Sequence, residues 1–368
     1  MVYLDYSATT MADKAVLREF VKDNELYFAN SNSVHSAGKE VLKKLDQTTK
    51  DILSLVELRG FDLIYTSGAS ESNNLAIKGV ALSSKRKKII ASGFEHSSVV
   101  GCLSYLDKLG YEIEIVENDD FGLVKLEKLE SLIDDDTCLV SIGAVNSETG
   151  VLQNIKKISE VVKRHPGVIF HSDMTQAIGK VAIDLNDCDL ISFSCHKFYG
   201  IKGIGGLFVR KGISLTPVIH GGKSLSKSRA GTPANPLIIS VFNALKPAME
   251  YLNERILKVE ITHSYLMKNL KEFDNIVINS NNYSIPQIVN VSFLDFSSRY
   301  LQEELSKRNI FVSTTTACAS GNETSLTILK LTNSLERANS AIRISLSHLT
   351  TKEDIDKFIE AFKEIYSL

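Results

Sequence analysis

Long apolar runs, paired cysteines and a surplus of either charge are all missing from this 368-residue chain. No window approaches the ~18 uninterrupted apolar residues of a membrane span, so no membrane is expected as a partner. Lys and Arg number 42 against 44 Asp and Glu, a formal net charge of −2. That balance leaves no bulk attraction for nucleic acid or an anionic surface, and no direct nucleic-acid partner is expected. The five cysteines, Cys102, Cys138, Cys188, Cys195 and Cys318, form no CxxC pair and are odd in number. A disulfide framework and a metal site are therefore not expected, and a reducing cytoplasm is. The opening MVYLDYSATT lacks the basic segment and apolar core of a secretory signal. What remains is ordinary for a soluble globular protein: 43% apolar, 23% charged, and long enough for two domains.

Short β-branched runs alternate with helical periodicity between about residues 60 and 210. Strands are predicted at 62–66, 87–92, 111–116, 137–142, 167–172, 189–194 and 205–210. Amphipathic segments such as ESNNLAIKGVAL, SSVVGCLSYLDKL and NIKKISEVVKRH lie between several of them. This alternation predicts an α/β fold with a mostly parallel, helix-covered sheet. The last two strands are close enough in sequence for a hairpin or an irregular link. Residues 236–273 read as one helix bent at Pro247 or as two helices. Beyond them IVNVSFL, NIFVS and AIRISLS mix with the helical RYLQEELSKR and KEDIDKFIEAFKEIY, which predicts a smaller α+β unit. The expected division is a large domain over 13–254 and a small one made of 1–12 and 255–368.

In a parallel sheet, ligands gather at the carboxyl ends of the strands. Five predicted strands deliver polar groups there: TSGASESN (66–73), GFEH ending at His96, GAVNSETG with Asn146, Asp173 with Gln176, and Ser194-Cys195-His196-Lys197. TSGASES reads as an anion cup on a helix N-terminus, or equally as an ordinary helix cap. Asp173 alone reads as a cap, Lys197 as a surface amine or phosphate-binding charge, and His96 and His196 as satisfied polar residues at strand ends. Together, an anion cup, an acid, a flat imidazole and an amine at one edge are what pyridoxal phosphate requires. Cys318, in FVSTTTACASGNET (311–324), has small polar neighbours rather than core hydrophobes and reads as an exposed loop thiol or a chance surface cysteine. Cys195 alternates with Ser194 and is expected to pack away from the site. Cys102, Cys138 and Cys188 are expected in or near the core.

Collinear motifs then add a resemblance along nearly the whole chain. YLDYSATT (3–10), ANSNSVHSAG (29–38), TSGASESNNLAIKG (66–79), EHSSV (95–99), NSETG (146–150), SDMTQAIGK (172–180), SFSCHKFYGIKGIG (192–205), RAGT (229–232) and AIRISLSHLTTKEDID (341–356) resemble the pyridoxal-phosphate-dependent cysteine desulfurases of the NifS/IscS type. The resemblance implies fold-type I architecture and conversion of L-cysteine to L-alanine, with the sulfur left as a persulfide on Cys318. It implies Lys197 as the amine bonded to the cofactor aldehyde, Asp173 at the pyridine nitrogen and Gln176 at the phenolic oxygen. His96 would stack on the ring and act as acid and base. Ser70, Ser194, His196 and the backbone near Ala69 would hold the phosphate, and Thr232 would reach the phosphate of a neighbouring subunit in a homodimer. Asn146 and Arg343 would bind the substrate carboxylate. A sulfur-acceptor protein, a cluster scaffold or tRNA-thiolation enzyme, completes the expected partners. A lyase acting on selenocysteine or another β-substituted amino acid, and an inactive scaffold subunit, are the alternatives. The chain departs from the family pattern at Cys195, where glycine or alanine is usual, at Ile201, where proline is usual, and in the TTTACAS loop.

Overall fold

A computed structural model of the protein describes residues 1–222, 224–314 and 324–367. The chain opens with strand β1 (Val2–Tyr3) and helices α1 (Lys14–Leu26) and α2 (Ser36–Leu55). The main sheet follows: β2 (Phe61–Thr66), β3 (Lys88–Ser92), β4 (Glu112–Val116), β5 (Thr137–Ser141), β6 (Ile169–Asp173), β7 (Leu190–Ser194) and β8 (Gly205–Arg210). Helices α3 (Ala69–Ser83), α4 (Ser97–Asp107), α5 (Leu126–Leu132) and α6 (Ile155–Val162) fill its first four crossovers. The strand order is β2-β8-β7-β6-β5-β3-β4, and only β8 runs against the rest. Each strand foreseen from 62 to 210 is present, with ends shifted by at most two residues.

The pattern explains the sheet. Every residue of β3, β5 and β7 is buried, as a strand covered on both faces requires. Apolar side chains on one face pack with α7 (Asn235–Glu250), and those on the other with α3 and α4. β7 and β8 pair antiparallel across an irregular link that starts with a 3-10 turn, Cys195–Lys197. Phe193 and Phe208 stack across that pair, ring centroids 5.1 Å apart, and fix the level at which β7 ends. Because β2 is antiparallel to β8, its end falls on the same edge as those of β3, β5, β6 and β7. The connectivity thus assembles five loops at one place.

The 236–273 stretch forms two helices, α7 and α8 (Leu252–Leu270), which meet at Tyr251 just beyond Pro247. The remaining elements are β9 (Ile276–Ile278), β10 (Ile288–Phe293), α9 (Ser298–Lys307), β11 (Ile310–Phe311), α10 (Leu326–Thr332), α11 (Leu335–Ser340), β12 (Ala341–Ser345) and α12 (Lys352–Tyr366). β12, β10 and β9 form an antiparallel sheet, and β1 pairs in parallel with β11. Val2 and Leu4 are buried in one core with Val259, Val291, Ile344 and Phe358. The N-terminal segment crosses from this core to the main sheet's carboxyl edge. There Thr10 donates from its N–H and its hydroxyl to the His196 carbonyl, at 3.0 and 2.9 Å.

Candidate active site

A cavity of about 690 Å³ lies at that edge, lined by residues from all five loops and by Arg343 and Leu326 from the C-terminal part of the chain. Ser70, Ala69, His96, Asn146, Asp173, Gln176, Ser194, His196, Lys197 and Arg343 all border it. The sequence's separate candidates therefore converge on one space.

The cup is built from backbone. Gly68 precedes α3 at φ +154° and ψ −179°, a conformation essentially confined to glycine. A Cβ there would lie 3.1 Å from Ser194 Oγ, and Gly205 comes close on another side. Ala69 N–H donates to Ser194 Oγ at 2.7 Å, so the ends of β2 and β7 are tied together. No side chain of the capping residue closes α3. Its first turn therefore presents orphan N–H groups and the positive end of its dipole to the cavity. Gly68 stands at the N-cap position, so the stretch caps α3 without a side-chain hydrogen bond and leaves room for an anion. Glu71 turns back to accept from Ser67 N–H at 2.7 Å and Arg229 Nε at 2.9 Å. Burial alone would raise its pKa, but these donors outweigh that and lower it.

Lys197 leaves β7 through the 3-10 turn, and its Nζ donates to the carbonyls of Ser7 and Ala8 at 2.6 and 2.9 Å. Gln176 Nε2 donates to the same Ser7 carbonyl at 2.9 Å. Asp173 ends β6. One of its oxygens accepts from Thr175 N–H at 3.0 Å and the other from Asn73 Nδ2 at 2.7 Å. Asn73 also donates to Ser98 Oγ at 2.9 Å, and Ser98 pairs with His96 Nδ1 at 2.8 Å. His96 caps α4 by accepting from Ser98 N–H at 3.1 Å. Asp173 braces the turn after β6 rather than capping a helix, because no helix begins there, whereas His96 is a satisfied polar residue as its strand-end position suggested; both residues still face the cavity. Burial lowers the His96 pKa; Asp173 opposes this and Lys197 adds to it. His196 lies across the site with Nδ1 3.0 Å from Thr9 Oγ1. Burial, reinforced by Lys197, Lys180 and Lys202, pushes its pKa down to about 4. Both rings are thus neutral at physiological pH.

Arg343 on β12 is 2% exposed. It pairs with Asp5 at 2.8 Å and donates to the Ser147 carbonyl at 3.0 Å, and its buried Nε has no partner among the described residues. Asn146 is largely engaged in shaping its own turn. Its Oδ1 accepts from Glu148 N–H, Thr149 N–H and Thr149 Oγ1, and its Nδ2 donates to the Phe94 carbonyl. One amide hydrogen remains for a ligand. Thr232 is not among the lining residues; it borders a neighbouring cavity of about 160 Å³, with Ser67 and Gly203 shared between the two. Cys318 lies outside the described residues. Before that stretch, Ser313 exchanges both backbone hydrogen bonds with Arg343, and after it Ser325 Oγ donates to Glu148 Oε2 at 2.6 Å.

Cys195 points into the core as expected. It is fully buried, and a Cβ at Gly200 would lie 2.1 Å from its sulfur, so the glycine makes room for the thiol. Burial pushes that thiol up to about 12, which makes it inert. Cys102, Cys138 and Cys188 are also buried and unpaired. Among the described residues no His, Cys, Asp or Glu cluster could hold a metal, and no helix is long and apolar enough to cross a membrane.

Sequence reasoning missed the groups that hold the principal side chains. Asn73 and the carbonyls of Ser7 and Ala8 sit inside recognised motifs without any signal of their task. Glu95, whose carboxyl burial raises to about 7, also borders the cavity, accepting from Ser92 Oγ at 2.6 Å and Gly143 N–H at 2.9 Å.

Residues 2–358 match the family described as Aminotransferase class-V. "Cysteine desulfurase IscS" of Dictyoglomus turgidum is 34% identical over 99% of this chain and 94% of its own. A solved "NifS-like protein" is 33% identical over 100% of this chain and 99% of its own, with a TM-score of 0.92. Another, "SspA in complex with cysteine", is 30% identical over 95% of this chain and 100% of its own, with a TM-score of 0.82. The chain therefore belongs to the class-V aminotransferase family, within its NifS/IscS-type cysteine desulfurases.

Proposed function

We propose that the protein is a pyridoxal-phosphate-dependent cysteine desulfurase that converts L-cysteine to L-alanine and leaves the sulfur on the thiol of Cys318. The observation that carries this reading is one cavity bordered by an uncapped helix N-terminus, a carboxylate, an imidazole and an amine. These residues fit the cofactor. The first turn of α3 with Ser70, Ser194 and His196 offers donors to a phosphate, Asp173 faces inward on a fixed carboxylate, and Lys197 presents a primary amine. When bound, pyridoxal phosphate supplies an electron sink for the bonding electrons released at the substrate's α-carbon.

The chain's own groups do the rest. Lys197 Nζ is the amine that would hold the cofactor's aldehyde, and as a free amine it is placed to act as the base for the substrate's α-proton. The two carbonyls beside it hold its hydrogens and aim its lone pair. Asp173 would meet the cofactor's ring nitrogen and favour its protonation, and the Asn73 bond holds its carboxylate in place. His96, which borders the cavity, would cover the cofactor ring and exchange protons near it. Arg343 receives the substrate carboxylate through its fork, helped by the remaining Asn146 hydrogen. The Cys318 sulfur forms a bond to the substrate sulfur as the carbon–sulfur bond breaks, and the carbon left behind gains a proton. L-Cysteine and a thiol thus become L-alanine and a persulfide, with atoms in balance. The persulfide passes to an acceptor protein in cluster assembly or tRNA thiolation. Thr232, beside rather than inside its own chain's cavity, suits a role in a partner's site within a homodimer. A core drawn wholly from residues of 1–12 and 255–368 supports the division into 13–254 and 1–12 with 255–368, and the unpaired cysteines suit a reducing cytoplasm.

The test is to incubate holoenzyme with L-cysteine and measure alanine and sulfide. Lys197→Ala is expected to lose the yellow colour, and Cys318→Ala to keep it while alanine formation disappears. Undiminished cysteine turnover in Cys318→Ala would favour the direct lyase, and a wild type that stays colourless with added cofactor would favour the scaffold.

A further inference from the structure

Behind Gln176 stands a second amine that the chemistry above leaves unassigned. Lys180 lies in the turn after β6, and its Nζ donates to Gln176 Oε1. Its backbone is anchored from the other core, where Gln287 Nε2 donates to the Lys180 carbonyl at 2.9 Å. Lys180 also borders a cavity of about 30 Å³ together with Ser7, Arg255 and Gln287. Burial, and then the positive charges of Lys197 and Arg343, push its pKa well below the usual lysine range.

An amide has one accepting end and one donating end, of nearly equal shape. With Oε1 engaged by Lys180, Nε2 faces the opposite way and donates to the Ser7 carbonyl at 2.9 Å. That carbonyl also accepts from Lys197 at 2.6 Å. Lys180, Gln176, Ser7 and Lys197 therefore form one continuous row of hydrogen bonds from the rear of the cavity to the reactive amine. Turned over, the amide would set its oxygen against the Ser7 carbonyl and leave Lys180 facing a donor.

We infer that Lys180 is a positioning residue: by holding Gln176 Oε1 it fixes the donating end of the amide toward Ser7 and toward the ring oxygen of bound pyridoxal phosphate. This rests on the cofactor reading above and adds to it the group that decides which end of Gln176 the cofactor meets. A donor on that oxygen withdraws electron density, so it lowers the pH at which the lysine-bound cofactor gives up its proton.

The experiment follows the visible absorption of the holoenzyme against pH. Lys180→Met is expected to raise the midpoint by about half a unit or more, about threefold in the proton equilibrium. Gln176→Met is expected to raise it similarly, and adding Lys180→Met to Gln176→Met is expected to add nothing. Lys180→Leu, which also lacks a donor, serves as a second variant should Lys180→Met fold poorly, with the same rise expected. An unchanged midpoint overturns the inference. So does a shift that persists in the Gln176→Met background, which would mean that Lys180 acts by its own charge, or loss of cofactor from the Lys180 variants alone. A wild type without a visible band removable by Lys197→Ala overturns the cofactor reading itself, an outcome distinct from failure of Lys180 alone.

Discussion

Replacing Asp5 with Asn tests the proposed substrate site from an unexpected side. Arg343 is buried, and its charge is met by Asp5 at 2.8 Å, with the Ser147 carbonyl as its other partner. Asn keeps the shape and one acceptor but removes the charge. A hydrogen bond to a charged group contributes about 1.5–3 kcal/mol, and part of that survives with a neutral acceptor. The variant is therefore expected to lose about 1–2 kcal/mol of stability, read as a lower midpoint in urea. Substrate binding should move the other way. In the wild type the substrate carboxylate must share the guanidinium with Asp5, and two carboxylates around one fork repel each other. Relief of about 1–2 kcal/mol at a partly buried site corresponds to a KM for cysteine lower by about 5- to 30-fold, by Coulomb's law at an intermediate dielectric. Urea denaturation and initial-rate measurements of alanine formation give the two numbers on the same preparation. Unchanged stability with an unchanged or raised KM would refute both the ionic role of Asp5 and the assignment of Arg343 to the substrate.

Other consequences follow from the same geometry. Gly68→Ala places a Cβ against Ser194 Oγ in a conformation costing about 1–3 kcal/mol. It should weaken cofactor binding by about tenfold or more in an absorbance titration. His171 is fully buried between Ser141 and Ser192 at 2.9 Å each, and burial pushes its pKa to about 4. Between about pH 6.5 and 4 the unfolded chain binds the extra proton, so this group makes stability fall on acidification, by up to about 3 kcal/mol. His171→Gln should flatten that limb in urea titrations of the apoprotein at pH 7 and 4.5. Cys195→Ala removes a buried sulfur packed on Gly200 and should cost about 1–2 kcal/mol in the same assay while alanine formation persists.

Much of the sheet and its reactive edge was legible because doubly covered strands leave continuous apolar runs and each run ends where polarity begins. Asp173, His96 and Lys197 are visible for that reason: each follows such a run directly, so topology alone brings them together. The holding groups are invisible for the opposite reason. Lys197 donates to the Ser7 and Ala8 carbonyls, 190 and 189 positions away, and a carbonyl carries no residue signature. Asn73 reaches Asp173 across 100 positions from inside a motif already explained as a phosphate cup. β1 and β9 are too short, at two and three residues, to show a period, and they form only by pairing with β11 and β10. Asn146 illustrates a subtler gap. Its motif marked a ligand-binding residue, while three acceptor contacts make it first a turn-former, which limits what it can offer a substrate to one hydrogen. The chemistry of this site is therefore written in local sequence, whereas its rigidity is written in long-range contacts. The N-terminal ten residues supply most of these, through the Asp5 carboxylate, the Ser7 and Ala8 carbonyls and the Thr9 hydroxyl.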